Sequence, residues 1–454
     1  MYKKSILILI FIITLTTYGC ANRREMPREQ SPGQRVEQQR EDRLAKSDQE
    51  AVEENINGYN LQDDLKITRE EGSEISYINQ EQKDELINGL GPKENNTILE
   101  EFRSSLPVGI NNAIDYFKYN ISFDYFLITA EEGSTIRETP TDESAAVTAK
   151  ESLEKVSLLH RVEGEELEGS NIWYRVAFEN QGSVNEGYIH SSMGTPRNFR
   201  FDSMKQAIDE LNEQLGQGPL HFISNYKNEN GTPPQRGDAA IDEFGYRVYH
   251  SAPAYDEANT ESNYRYIPDG MLVRILDETG DFYHIDAPTF GRGYYVPKQY
   301  IDPNVTLREL THVVVIDRSQ QNQGAFEVED NGLNLVSYTF STTGIPGEFS
   351  YETTLGSYKA IQKRDRFEYL KSGTQEIAGY APFAIRFTGG AYIHGVPVAY
   401  EEVEGEMVDP GFIEYLHTIG TFPRSNMCVR NFTSHAEFLY NWMNVRNGAV
   451  IVIE

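Results

Sequence analysis

Apolar and polar positions alternate along this chain in a way that predicts strands over most of its length and helices in a few places. Leu99, Phe102, Leu106 and Ile110 recur at helical spacing and run on into Ala113, Ile114, Tyr116 and Phe117, which predicts a helical segment over residues 98–121, kinked at Pro107. After Asp124 the period becomes strand-like: Tyr125-Phe126-Leu127-Ile128, Val156-Ser157-Leu158-Leu159, Trp173-Tyr174-Arg175-Val176 and Tyr188-Ile189. Short strands between Gly and polar turns predict a small β-barrel over 122–196. Met204, Ile208, Leu211 and Leu215 then give an amphipathic helix with Asp202 or Ser203 as N-cap, inside a helical linker over 197–236. A second set resembles the first in spacing and predicts a tandem repeat over 237–303: Tyr246-Arg247-Val248-Tyr249, Met271 to Ile275, Phe282 to Ile285 and Gly293 to Val296. The last section, 304–454, is again β-rich, from Val313 to Asp317, Leu333 to Phe340, Ser357 to Ile361, Phe383 to Phe387 and Ala449 to Ile453. Ser434-His435-Ala436-Glu437 is a capping-box pattern that starts a helix through Phe438, Leu439 and Trp442. The expected class is mainly β, with short helices.

The N-terminal pattern is different. Lys3 and Lys4 precede an apolar run from Ser5 to Leu15 that is short for a membrane span, and Gly19-Cys20 follows, so residues 1–20 are expected to be a signal peptide. The segment resembles a bacterial lipoprotein signal, with Thr17 where Leu is usual and Leu15 two residues further back. That resemblance implies lipidation of Cys20, an anchor in a membrane, and a place in the cell envelope facing the wall or periplasm. Residues 21–97, rich in Gln, Glu, Arg, Asp and Asn at their start, read as a polar tether, because they bury too little apolar surface to offset ordering entropy.

Composition narrows the classes of function. The chain of 454 residues has 41 Lys+Arg against 70 Asp+Glu, a formal net charge of −29, and no long basic run, which argues against a nucleic-acid partner. Its 2 cysteines, Cys20 and Cys428, provide neither a disulfide framework nor a Cys-rich zinc site. No cofactor is implied.

The two β sets resemble bacterial SH3-like domains. The likeness lies in Ile136-Arg137-Glu138-Thr139-Pro140, Trp173 to Val176 and Gly187-Tyr188-Ile189, and again in Val248-Tyr249-His250-Ser251-Ala252-Pro253, Phe282 to Ile285 and Gly293 to Val296. Such modules often bind cell-wall peptides, although strand aromatics such as Trp173, Tyr174, Phe282 and Tyr283 more often alternate between core and surface.

In the last section two short elements stand in order, Ala391-Tyr392-Ile393-His394-Gly395 and Ser425-Asn426-Met427-Cys428-Val429-Arg430-Asn431, after Ser341-Thr342-Thr343-Gly344. Together they resemble the L,D-transpeptidase family with a YkuD-like catalytic domain. The resemblance implies that Cys428 is the nucleophile and His394 the general base, since thiolate is the reactive form and an imidazole can accept its proton. It further implies that the Gly395 carbonyl fixes the imidazole tautomer, that backbone N–H groups near Met427 and Cys428 hold the oxyanion, and that Ser425 orients the loop. Arg430, with Asn426 and Asn431, is expected to meet the substrate or to fix the loop.

Two departures bear on activity. The family's Ser-His-Gly-Cys is Ser425-Asn426-Met427-Cys428, so a titrating His is lost, and Met is expected to be barred from the positive φ that Gly reaches. Ser425 lies 31 positions after His394 (425 − 394), longer than is usual in the family, so Glu401 to Gly420 reads as an inserted loop or lid. His417 and His435 are candidates to replace the lost His, against the plainer reading of exposed or capping residues. The resemblance implies a peptidoglycan L,D-transpeptidase that forms a Cys428 thioester with a stem peptide and passes it to an amine or to water. The alternatives are a non-catalytic wall-binding lipoprotein and an NlpC/P60-like endopeptidase, whose Cys precedes its His in the chain, the reverse of the order here.

Overall fold

The computed structural model describes residues 75–89, 97–180, 182–235, 237, 240–330, 332–346, 350–370 and 377–454. The expected signal peptide, Cys20 and the first part of the tether lie outside the described residues. Strands dominate, as the alternation implies, and they fall into three groups along the chain.

The first group is an eight-stranded sheet whose path runs Ala146–Lys150, Ser134–Arg137, Ser183–His190, Ser170–Asn180, Lys155–Leu167, Asp124–Ile128 and Gly194–Asn198, with Ile98–Glu101 beside Lys155–Leu167. The second is a six-stranded sheet, from His221–Phe222 through Leu272–Thr279, Phe282–Ala287, Arg292–Pro297 and Ser251–Tyr255 to Tyr264–Pro268. The third comprises a six-stranded sheet centred on His312–Asp317 and, packed on it, the sheet of Gln362–Leu370, Ile377–Thr388, Ala391–His394 and Val429–Arg430.

Three expectations from the sequence do not hold. Residues 98–121 are not helical: Ile98–Glu101 pairs with the first sheet and Ile110–Asn112 adds a parallel edge strand to Gly332–Phe340 in the third group. Pro107 and Gly109, at φ +91°, prevent a continuous helix, and extended backbone finds partners on both sides of the break. The tether reading ends too late, because residues 75–89 fold onto the first sheet, with helix α1 at Gln80–Gly89. Tyr246-Arg247-Val248-Tyr249 is a turn rather than a strand; the strand begins at Ser251, after His250 at φ +60°.

The linker helix forms, as α2 at Phe201–Gly216. It starts before the expected caps, so Asp202 falls in its first turn and Arg200 takes the N-cap position. Its stripe of Phe201, Met204, Ile208 and Leu211 is buried in the third group's core with Val313, Val315 and Ile451, contributing roughly 2 kcal/mol per side chain. The linker helix is thus part of the third group's core. A second core runs without interruption from Ile267, Val273 and Ile285 of the second sheet to Ile385, Ile393 and Val429 of the third.

The start of the ordered chain is held by a buried pair. Lys83 of α1 donates to Asp124 (2.6 Å), both side chains almost wholly buried, and Ser104 donates to the same carboxylate through its N–H and its hydroxyl. Burial lowers the Lys83 pKa and Asp124 opposes that shift. Removing one partner of such a pair leaves an uncompensated buried charge. Lys83→Met should therefore lower the unfolding free energy by about 3 kcal/mol, read from the urea midpoint; a change below about 0.5 kcal/mol would show that α1 is not anchored through this pair.

Candidate active site

Two residues of parallel pairing create the site. Ile393 pairs with Val429 and His394 with Arg430, joining the Ala391–His394 strand to Val429–Arg430. Side chains alternate across a sheet, so Ile393 and Val429 enter the shared core while Tyr392, His394, Cys428 and Arg430 project to the opposite face. Cys428 packs there with Tyr392 and Ala384, and Phe367 closes over the Tyr392 ring at 4.3 Å between centroids. Sequence order alone separates these residues by tens of positions; the pairing makes Cys428 and His394 diagonal neighbours.

The tautomer of His394 follows from one bond. Its Nδ1 lies 2.6 Å from the Gly395 carbonyl oxygen, an acceptor only, so Nδ1 carries the proton and Nε2 is left as the base. A larger residue does not fit at 395, since a Cβ there would meet Pro382 and Thr433 at 2.9 Å. Burial lowers the His394 pKa to about 4, against the Gly395 carbonyl, which raises it. Burial also pushes the Cys428 thiol up to about 11, although the Tyr392 backbone N–H and the Arg430 charge pull it down. At neutral pH the pair is thus a thiol and a neutral imidazole rather than an ion pair.

The loop before Cys428 is tightly held. Ser425 donates its hydroxyl to the Cys428 carbonyl, and Gly344 of the Ser-Thr-Thr-Gly strand end bridges to Ser425. A Cβ on Gly344 would come within 2.6 Å of the Met427 nitrogen, so glycine is required by close approach. Met427 takes the positive φ expected to be closed to it, +64°. The Cys428 N–H donates to the Asn426 carbonyl at 2.9 Å, which makes Met427 the centre of a γ-turn. Three contacts hold this strained backbone. Met427 N–H donates to Tyr351 (2.8 Å), Thr353 donates to the Met427 carbonyl (2.8 Å), and Arg247 of the second group donates to the Met427 sulfur (2.9 Å) while lying over the Tyr351 ring.

Several expected roles change accordingly. The Met427 and Cys428 N–H groups, expected to hold an oxyanion, are both engaged with carbonyls. Asn426 is exposed and accepts from the Tyr351 N–H. Asn431, expected at the substrate, is fully buried: its N–H donates to the His394 carbonyl, and its side-chain oxygen accepts from Gln323 and His435. Arg430 stays half-buried on the Cys428 face and bridges to Thr342. His435 does not stand in for the missing His, since its ring nitrogens meet Asn431 (2.9 Å) and Ser337 (3.1 Å) in the interior. The expected capping box is also absent, because helix α3, Thr433–Trp442, starts before Ser434 and is capped from outside by Glu414, which accepts from the Ser434 N–H and hydroxyl.

Only part of the Glu401–Gly420 insert has the exposure expected of a lid. Glu401–Val403 and Glu406–Val408 form an exposed hairpin, whereas the second half is braced by the first group. Lys155 donates to the Ile419 carbonyl (2.7 Å) and the His417 carbonyl (3.3 Å), and Arg197 donates to the Gly420 carbonyl (3.1 Å). Sequence reasoning missed Arg247, Thr353, Lys155 and Glu414, since each acts across 20 or more positions and carries no local motif.

Two measurements follow from this geometry. With Met427 at positive φ and its side chain buried, Gly at 427 should be more stable than Ala by about 1 kcal/mol, the reverse of the order in ordinary buried backbone; equal denaturation midpoints for Met427→Gly and Met427→Ala would contradict the strain. With the thiol pKa near 11, iodoacetamide alkylation of Cys428 in the resting protein should rise about tenfold per pH unit from 7 to 10. A plateau below pH 8 would mean an ion pair instead.

No curated protein matches this chain. Among solved structures, a fused Zn-dependent amidase/peptidase/peptidoglycan-binding domain-containing protein from Clostridium acetobutylicum is 12% identical, with TM-score 0.22, over 32% of this chain and 52% of its own. An L,D-transpeptidase from Mycobacterium smegmatis is 15% identical, with TM-score 0.25, over 40% of this chain and 82% of its own. Mycobacterium tuberculosis L,D-transpeptidase 1 is 16% identical, with TM-score 0.23, over 40% and 87%. Residues 311–453, which hold Cys428, His394 and the loop that presents them, match the YkuD family, the L,D-transpeptidase catalytic domain.

Proposed function

We propose that this protein is a peptidoglycan L,D-transpeptidase with Cys428 as nucleophile and His394 as base. The observation that carries the reading is the shared sheet face of Cys428 and His394, with the His394 Nδ1 proton fixed on the Gly395 carbonyl so that Nε2 is the basic atom. Nε2 takes the thiol proton as Sγ attacks the carbonyl of the third, L-centred residue of a stem peptide. A thioester forms, the C–N bond breaks, and the same proton leaves with the amine of the terminal D-residue. An acceptor amine or water, deprotonated by His394, then resolves the thioester. Arg430 on the same face holds the loop or a substrate carboxylate.

In this reading the first and second groups are SH3-like modules that hold an acidic enzyme on the wall, and Cys20 carries the lipid anchor. A non-catalytic wall-binding lipoprotein is the second reading. It is favoured by the protonated, buried thiol and by the engaged N–H groups at 427 and 428.

Comparison of muropeptides from cells with the wild-type chain and with Cys428→Ala separates the two. Loss of 3–3 cross-links or of tetrapeptide trimming, together with a mass increase of wild-type protein on carbapenem treatment that Cys428→Ala lacks, is the expected result. Unchanged muropeptides and no acylation would leave the wall-binding reading. His394→Gln should lower turnover by 10²-fold or more, in the range typical of a lost general base.

A further inference from the structure

The sheet face that carries Cys428 extends past Tyr392 to a cation with no assigned role. Arg364 stands opposite Ala384 in the Gln362–Leu370 strand, and its guanidinium lies 6.0 Å from the centre of the Tyr392 ring. Carboxylates outnumber cations in this chain, 70 to 41, and Arg366, two residues along the same strand, is paired with Asp409 at 2.7 Å. Arg386, across the sheet, is paired with the buried Asp269 at 2.5 Å. Arg364, half-buried, makes no ion pair or hydrogen bond among the described residues.

Beneath it the Tyr392 hydroxyl is buried, with the Tyr226 phenol as its polar neighbour. The Tyr392 ring is stacked on Phe367, which gives an apolar floor. An unpaired guanidinium over such a floor binds a carboxylate more strongly than in open water, because the aromatic surface excludes competing solvent.

Strand geometry sets the distance. Arg364 and Cys428 are separated by three strand spacings, about 14 Å, of which an arginine side chain spans about 6 Å, leaving about 8 Å. That is roughly two extended residues, or one long acidic side chain. We infer that Arg364, above the Tyr392–Phe367 floor, binds a carboxylate that the acyl-donor peptide carries about two residues from the scissile carbonyl. The inference rests on the transpeptidase reading for the identity of the peptide, not for the existence of the anion subsite.

The test is equilibrium binding to the full chain carrying Cys428→Ala, which cannot turn over. The probes are a stem tetrapeptide with every carboxylate free and matched peptides with one carboxylate amidated at a time. Adding Arg364→Gln should weaken the free peptide by 10-fold to 100-fold and leave unchanged the peptide amidated at the recognised position, with Arg364→Lys intermediate. In the enzyme with Cys428 intact the same loss should fall on KM and spare kcat. Equal weakening of all peptides, or none, overturns the subsite. Turnover by wild type with no amidation-dependent effect of Arg364→Gln overturns the subsite and leaves the transpeptidase reading. Amidation-dependent binding through Arg364 with no turnover by wild type does the opposite. No binding of any peptide overturns both. The alkylation rate of Cys428 in Arg364→Gln alone, expected to equal that of wild type, controls for a disturbed site.

Discussion

The parallel pairing of Ala391–His394 with Val429–Arg430 is only two residues long, yet the placing of Cys428 beside His394 depends on it. A strand pair fixes both the distance between its members and the face each side chain takes. Slipping by one residue would send Cys428 into the core and Val429 to the site. Register is protected because Ile393 and Val429 are wholly buried in a core shared with the second sheet, so a slip would expose the apolar Val429 side chain.

So short a pair cannot hold itself, and the rest of the molecule supplies the support. The loop before Cys428 is strained at Met427, and contacts from Tyr351, Thr353 and Arg247 hold it. The chain between the two strands makes a long excursion, whose return is fastened by Lys155 and Arg197 from the first group. Glu414, also in the excursion, caps α3 and accepts from Lys118 and Tyr119. The N-terminal groups are therefore parts of the site's framework. The shared cores, through α2 and the Ile110–Asn112 strand, make the same point in apolar surface.

Much of this was legible locally. Alternating runs such as Val313 to Ile316 and Ala449 to Ile453 could only be strands, and Met204, Ile208 and Leu211 could only face one side of a helix. The His394-Gly395 and Ser425-x-x-Cys428 elements marked the site, since Cys428, His394 and the glycine after His394 are adjacent to their own motifs. The misreadings came where local pattern was ambiguous. The apolar spacing of residues 98–121 fits a helix, but Pro107 and Gly109 let extended pairing with two sheets win. Met427 has an intrinsic preference against positive φ, about 1 kcal/mol, a cost that three tertiary contacts can offset.

The sequence by itself determined which residues can do chemistry and which segments prefer strand or helix, because side-chain type and period are local properties. Only the tertiary structure decided what those residues face. It buried Asn431 and His435 in the interior, left Arg364 without an ion pair among the described residues, and raised the Cys428 pKa while lowering that of His394. Burial, desolvation and pairing across strands are sums over neighbours distant in the chain, and no window of sequence contains them.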